Sequence, residues 1–270
     1  MKRVIVPLAG VLLAGALIAV PAGVYASPAR ENSKTITVGA TPVPHVELLN
    51  LIAGDLSKEG YTLKVVEYND YVQPNSALLS GDLTANFFQH LPYLESNAEW
   101  KASLSAAIAV HVEPFGLYSN KVKTVADLPG GATIAIPNDP TNGGRALLLL
   151  QSNGIITLKP GAGLEATPLD IAENPKNLRF RELEAAQLPR ALGDVDAAAI
   201  NGNYALQAGL NPIRDSLIIE GADSPYVNYV VVKKGTENDP PIQALSRALR
   251  SAKVKEYILS HYEGGVVAAF

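Results

Sequence analysis

Twice in this chain a helical stretch stops at Gly-Asp and the next residues form a short apolar run: SGDLTANF (80–87) and LGDVDAAAI (192–200). The echo constrains the fold because the segments before it repeat in the same order. TITVG (35–39) reads as a strand, followed by a Pro-containing turn, a helix from about 45 to 56, the strand YTLKVVEY (61–68) and a helix over 75–80. LTANFF then closes the first round. The second round opens on ATIAI (132–136), a run of the kind a parallel sheet buries on both faces. A helix stopped at Asn153-Gly154 follows, then the strand LRFREL (178–183), a helix over 185–192 and VDAAAI (195–200). Strand–helix–strand units build parallel sheets flanked by helices, with ligands held beyond the C-terminal strand ends. Two such units read as two lobes across a cleft; one larger α/β domain with a chance echo is the alternative. IAVHVEPFGLYS (108–119) and SPYVNYVVVKK (224–234) read as extended crossovers, a hinge that permits closure, and 242–262 as a helical tail packed on the first lobe.

The first 26 residues read as an address. Lys2 and Arg3 precede a nearly unbroken apolar run from Val4 to Val20, and Val24-Tyr25-Ala26 supplies small residues for cleavage after Ala26. An uncleaved membrane anchor is the competing reading, against which stand the length of the run and Pro7. A polar leader occupies 27–33. Without Lys2 and Arg3 the chain keeps 20 basic against 26 acidic residues, near −6, with no basic block or basic-aromatic run, which argues against nucleic acid as a partner. Cysteine is absent, so disulfides, thiol nucleophiles, thiolate metal sites and lipid attached through cysteine are all excluded for this sequence. An exported, mildly acidic globular protein is the expectation.

NDPTNGGR (138–145) lies between the ATIAI strand and a strong helix. Thr141 or Asn142 is expected as N-cap, with Arg145 in the first turn. Free N–H groups at a helix start attract an anion, and a guanidinium beside them can hold a carboxylate through two parallel hydrogen bonds. A solvated arginine after a tight turn is the plainer reading. The two strand ends after Gly-Asp deliver Asn86 and Asn201.

NDYVQPN (69–75) and ANFFQHLPYLE (85–95) concentrate aromatic residues in a chain that is only 6% aromatic. Pro92 excludes an ordinary helix interior around His90 and Tyr93, so these side chains can converge at a strand end. Phe87 reads as core. Tyr71, Phe88, His90 and Tyr93 combine apolar bodies with polar tips and suit a small-molecule pocket; aromatic contacts to a thioether sulfur are worth roughly 0.3–1.5 kcal/mol each.

The ordered set NDYVQPN, DLTANFFQHLPYLE, IPNDPTNGGRALLLLQ, ENPKNL, LEAAQLPRAL, AAINGNYA and SPYVN closely resembles the NlpA/MetQ family of methionine-binding proteins of bacterial ABC importers, from about Lys34 to Phe270. The resemblance implies an α/β, two-lobed periplasmic-binding-protein fold of type II with L-methionine in the interlobe cleft. Lobe 1 would comprise 34–113 plus 229–270, and lobe 2 residues 114–228. It implies further that Arg145 pairs with the ligand carboxylate, that Asn201 and Asn228 bind the ammonium and carboxylate ends, and that Tyr71, Phe88, His90 and Tyr93 form an aromatic cage; Asn86 would be a supporting residue. The implied partners are L-methionine and, through the permease, a permease–ATPase complex. Membrane association would run only through that transporter or an uncleaved N-terminal segment. The family usually carries a lipobox cysteine, and its absence here leads to the expectation of a periplasmic or extracytoplasmic protein without a lipid anchor.

His45, His90, His111 and His261 are scattered and lack HxxxH or HExxH spacing, so no metal site is expected. PGAGLEA (160–166) fits GxGxxA only loosely and, with no secure βαβ unit around it, reads as a loop. No nucleophile motif or paired-carboxylate arrangement stands out; neither catalysis nor a cofactor is expected. Alternatives left open are a binder of a methionyl dipeptide or of D-methionine, a secreted enzyme on a similar two-lobe fold, and a surface interaction protein with a vestigial cleft.

Overall fold

The computed structural model describes residues 34–221 and 224–270. The expected signal peptide and polar leader lie outside the described residues. The described chain contains thirteen strands: β1 (Thr35–Ala40), β2 (Thr62–Glu67), β3 (Ala85–His90), β4 (Leu104–Val112), β5 (Gly116–Tyr118), β6 (Thr133–Pro137), β7 (Thr157–Leu158), β8 (Ile171–Glu173), β9 (Arg179–Leu183), β10 (Ala197–Ile200), β11 (Ile218–Ile219), β12 (Val227–Lys233) and β13 (Val267–Ala268). They form a six-stranded sheet in the order β13-β4-β12-β3-β1-β2, a five-stranded sheet in the order β11-β5-β10-β6-β9, and a small ribbon of β7 and β8. This is the two-lobed periplasmic-binding-protein fold of type II.

The repeated plan of the sequence is visible as repeated topology. In the first sheet β2, β1 and β3 run parallel and β12 lies antiparallel beside β3. In the second, β9, β6 and β10 run parallel and β5 lies antiparallel beside β10. The central strands are apolar because both faces are covered: every residue of β3 and of β10 is buried. Gly81 ends the helix Gln73–Ser80 in the left-handed region, at φ 93°, which glycine adopts without a Cβ clash.

Around the first sheet, Leu48, Leu49, Ile52 and Leu56 of the helix Glu47–Lys58 pack on Ile36, Val38 and Phe87. Full burial of each such side chain contributes about 1.5–3 kcal/mol. The expected C-terminal tail helix is two helices, Pro240–Leu249 and Ala252–His261, because Ser251 caps the second through Val254 N. Both bury their apolar stripes, Leu245 and Leu249, then Val254 and Ile258, in the same core. A separate core of Leu117, Ile134, Ile136, Leu147, Leu150 and Ala199 holds the second sheet. The 160–166 segment is a loop between β7 and β8, and Gly144 is where the helix Pro140–Ser152 meets it: a Cβ there would stand 2.1 Å from Leu164 O.

Candidate functional site

The C-terminal ends of β3 and β10 point into one cavity, the outcome that strand–helix–strand architecture favours. Phe88, Gln89 and His90 reach it from β3, and Tyr93 from the helix Leu91–Ser96 that follows directly. Pro92 sits in the first turn of that helix, where its missing N–H costs nothing, so the proline starts a helix rather than excluding one. Tyr71 comes from the loop before the helix Gln73–Ser80. The opposite wall is polar: Asn142 and Arg145 from the helix Pro140–Ser152, Asn201 just past β10, and Asn203 in the helix Gly202–Gln207. Glu113, beyond β4, and Asn228, in β12, complete it.

The aromatic wall is a contiguous cluster. Ring centroids lie 5.8 Å apart for Tyr71–Phe88 and for Tyr71–Tyr93, and 6.1 Å for Phe88–Tyr93, within the range of favourable ring pairs. Tyr71 OH donates to Asn203 Oδ1 at 2.6 Å and Tyr93 OH donates to Tyr71 O at 3.0 Å. The phenol tips are therefore spent on positioning, and the ring faces remain as apolar surface.

On the polar wall, one carboxylate sets the direction of a whole chain of amides. Asp139, not Thr141 or Asn142, is the N-cap of the helix Pro140–Ser152, accepting from Asn142 N at 3.0 Å. Proline at the first helical position, with an aspartate before it, outweighs the later candidates. Asp139 also accepts from Asn142 Nδ2 at 2.9 and 3.1 Å. A carboxylate only accepts, so Asn142 must turn its Oδ1 the other way, where His90 Nε2 at 3.0 Å and Asn201 Nδ2 at 2.8 Å donate to it. His90 Nδ1 accepts from Tyr93 N at 3.1 Å, which fixes the tautomer. Burial, aided by the Arg145 charge, lowers the His90 pKa to about 3, so the ring is neutral. Asn201 Oδ1 is left buried without a hydrogen-bond partner, as is Asn203 Nδ2.

Arg145 lies in the second turn of its helix and is 4% exposed. Its fork is already engaged: Nε donates to Glu220 Oε1 at 2.6 Å and Nη2 to Glu220 Oε2 at 2.5 Å, with Nη2 also donating to Glu113 O at 3.0 Å. The guanidinium carbon stands 4.0 Å from the Tyr226 ring centroid and 4.9 Å from that of Phe115. The two parallel hydrogen bonds expected for a ligand carboxylate belong here to Glu220, and among the described residues Nη1 has no hydrogen-bond partner.

Two of the scattered histidines meet behind the cavity. His111 Nε2 lies 2.7 Å and His45 Nε2 3.3 Å from Glu113 Oε1, and His45 Nε2 lies 3.3 Å from Asn228 Oδ1. Each of the three residues offers a ligand atom within 4.8 Å of the others, a geometry that spacing in sequence did not disclose. In this structure those atoms satisfy one another. Burial holds both rings neutral, with pKa values lowered to about 4 for His45 and about 3 for His111.

A family model described as NlpA lipoprotein matches residues 36–270. The chain belongs to the NlpA lipoprotein family. Among its relatives, "Membrane lipoprotein TpN32" of Treponema pallidum is 44% identical over 95% of this chain and 96% of that one. "D-methionine-binding lipoprotein MetQ" of Escherichia coli is 43% identical over 82% of each. The solved structure of a nutrient binding protein from Burkholderia cenocepacia bound to methionine superimposes with a TM-score of 0.84 at 49% identity, covering 87% of this chain and all of that one. That NlpA relatives are named lipoproteins does not support the unanchored state expected from the missing cysteine. Among the described residues, no helix is long and apolar enough to cross a membrane.

All seven residues singled out in the sequence of this NlpA family member, Tyr71, Phe88, His90, Tyr93, Arg145, Asn201 and Asn228, line the one cavity. Asn86 does not. It is the second residue of β3, far from the C-terminal end that meets the cavity; its Nδ2 donates to Pro74 O and Asn75 Oδ1 and its Oδ1 accepts from Gln89 Nε2, which makes it a buried brace between β3 and the helix Gln73–Ser80. Sequence reasoning missed Glu113, Asn203 and Glu220. The pattern NGN around Asn201 was a local signal for Asn203; for Glu113 and Glu220 no local pattern distinguishes them from solvated acids.

Proposed function

We propose that the protein binds methionine in this cavity outside the cytoplasm and delivers it to an ABC importer through the permease, and that it is not an enzyme. One observation carries the reading: an apolar aromatic wall faces a wall of amides and a guanidinium, in a chain 49% identical to a protein whose structure is bound to methionine. Tyr71, Phe88, His90 and Tyr93 would surround the thioether chain. Asn228, Asn203 and the free Nη1 edge of Arg145 would donate to the carboxylate, and Asn201 would accept from the ammonium. Residues 34–113 with 229–270, and 114–228, would act as two lobes that close on the ligand. Small ligands gain at most about 1.5 kcal/mol per heavy atom, so tight binding of methionine requires near-complete burial with its polar groups paired.

Calorimetric titration of refolded protein with L-methionine, D-methionine and a methionyl dipeptide tests this. One-to-one binding of L-methionine is the expected result. Preference for D-methionine, the second reading, is favoured by the name of the Escherichia coli relative. No heat with any of the three ligands would sink the methionine reading.

A further inference from the structure

Beside the buried cavity runs a surface groove past Asp70, Val72, Asp139 and Tyr204, with exposed Asn138 and Glu184 on its rim. Among the described residues, Tyr71 and Tyr93 alone line both the groove and the cavity, so these two side chains are the partition between them. Tyr93 is fixed in the helix Leu91–Ser96, directly after β3, and is buried. Tyr71 stands in the loop 69–72 between β2 and the helix Gln73–Ser80, outside any helix or strand. Of the two, Tyr71 is the one that a local change of loop conformation can move.

Side chains hold that loop, and they come from two directions. From the loop itself, Asp70 Oδ1 accepts from Val72 N at 2.7 Å and from Gln73 N at 2.8 Å, and Asp70 Oδ2 accepts from Gln73 Nε2. One carboxylate thereby folds the loop onto the start of its own helix, the local bonding that aspartate favours in turns. From the other sheet come two neighbours on the helix Gly202–Gln207, which follows β10. Asn203 Oδ1 accepts from Tyr71 OH at 2.6 Å, and Tyr204 OH donates to Asn69 O at 3.2 Å. The Tyr204 ring centroid lies 5.1 Å from that of Tyr71, and its far side packs with Leu188, Val195 and Ile200 in a core of the second sheet. Tyr204 therefore grips the loop by its backbone and by its ring, yet it does not line the cavity.

We propose that the loop 69–72 is a gate between the groove and the cavity, with Tyr71 as its moving part and Tyr204 as the positioning residue that keeps it shut. Opening it breaks the two hydrogen bonds to the helix Gly202–Gln207 and one ring contact, and leaves the strands of both sheets in place. A group that holds such a gate without touching the ligand sets how fast the ligand passes and not how tightly it is held, because the same contacts break and re-form on entry and on exit. The inference rests on the methionine reading and adds the route by which the ligand reaches its site.

Trp100, the only tryptophan of the chain, has its ring 5.4 Å from that of Tyr93 and reports on this wall. Stopped-flow fluorescence of Trp100, with rapid filtration of radiolabelled methionine as the second readout, gives association and dissociation rates for wild type, Tyr204→Phe and Asp70→Ala. The two variants loosen the loop from different sides, and neither residue lines the cavity. Each is expected to raise both rates together by about 2- to 10-fold, the span of a lost hydrogen bond, with Kd held within about twofold. Faster dissociation alone, with a matching loss of affinity, would make these residues supports of the bound ligand and overturn the gate. Unchanged rates in either variant would overturn it too, and both results leave the methionine reading standing. Should Tyr204→Phe fail to fold, Asp70→Ala must show the paired rise by itself. Wild type that binds no methionine would overturn the reading, and the gate with it.

Discussion

The two strand–helix–strand rounds share a backbone plan and differ in what they deliver to the cavity. The round built on β1, β2 and β3 supplies Tyr71, Phe88, His90 and Tyr93, and the round built on β6, β9 and β10 supplies Asn142, Arg145, Asn201 and Asn203. A sheet needs its strand interiors apolar, and the residues just past the strand ends are released from that demand. One topology can therefore carry two chemistries, and a ligand with an apolar tail and a zwitterionic head matches both at once. The strands that cross between the rounds contribute the remaining charge and amide, Glu113 beyond β4 and Asn228 in β12.

The largest expected effect comes from breaking the polar side. Arg145→Ala removes a buried guanidinium and strands Glu220, at a cost of about 3–5 kcal/mol of stability, as is usual when one partner of a buried pair is lost. Methionine affinity should fall with it; calorimetry together with a thermal melt separates the two losses, and unchanged affinity would remove Arg145 from the carboxylate end. The aromatic side should break differently. Phe88→Ala is expected to cost about 3–5 kcal/mol of stability and to narrow the preference for methionine over alanine, because it deletes wall and not charge. Equal weakening of both amino acids would contradict the division of labour.

Acid should strike both sides together. His45, His90 and His111 are buried neutral, with pKa values lowered to about 4, 3 and 3, so the unfolded chain binds more protons than the native one below pH 6.5. Their stability contribution is complete above that pH and is lost as pH falls towards 4 and below, by on the order of 3 kcal/mol per ring over the full window. A denaturation midpoint that stays flat between pH 6.5 and 4 would show that these rings are solvated. The smallest effect is expected from Asp139→Ala, which removes the N-cap for about 0.5–2 kcal/mol and frees Asn142 to rotate. Its signature is a loss of methionine affinity larger than the stability change alone would cause, read by titration well below the melting temperature.

Local pattern was enough for most of the elements and for the aromatic wall, though not for the helix that Pro92 starts or for the break that Ser251 makes in the tail. The Gly-Asp stops, the β-branched and apolar runs and the capping prolines are short-range signals, and Tyr71, Phe88, His90 and Tyr93 lie within one stretch of chain where strand, turn and helix follow each other directly. The resemblance to a known family carried Arg145, Asn201 and Asn228. Local pattern misplaced the N-cap, since Asp139, Thr141 and Asn142 are all capping residue types and only the actual start of the helix selects one.

Sequence by itself thus determined the two rounds of strand and helix, the strand ends at which a ligand can be met, and the clustering of aromatic residues at one of them. Tertiary structure alone decided the electrostatics: Glu220 on the Arg145 fork, His45 and His111 around Glu113, and the direction of the Asn142 and Asn201 amides. Most of those partners stand tens of residues apart on different strands and helices. Periodicity reports which face of an element is buried, and it carries no information about which distant polar group the folded chain brings to that face.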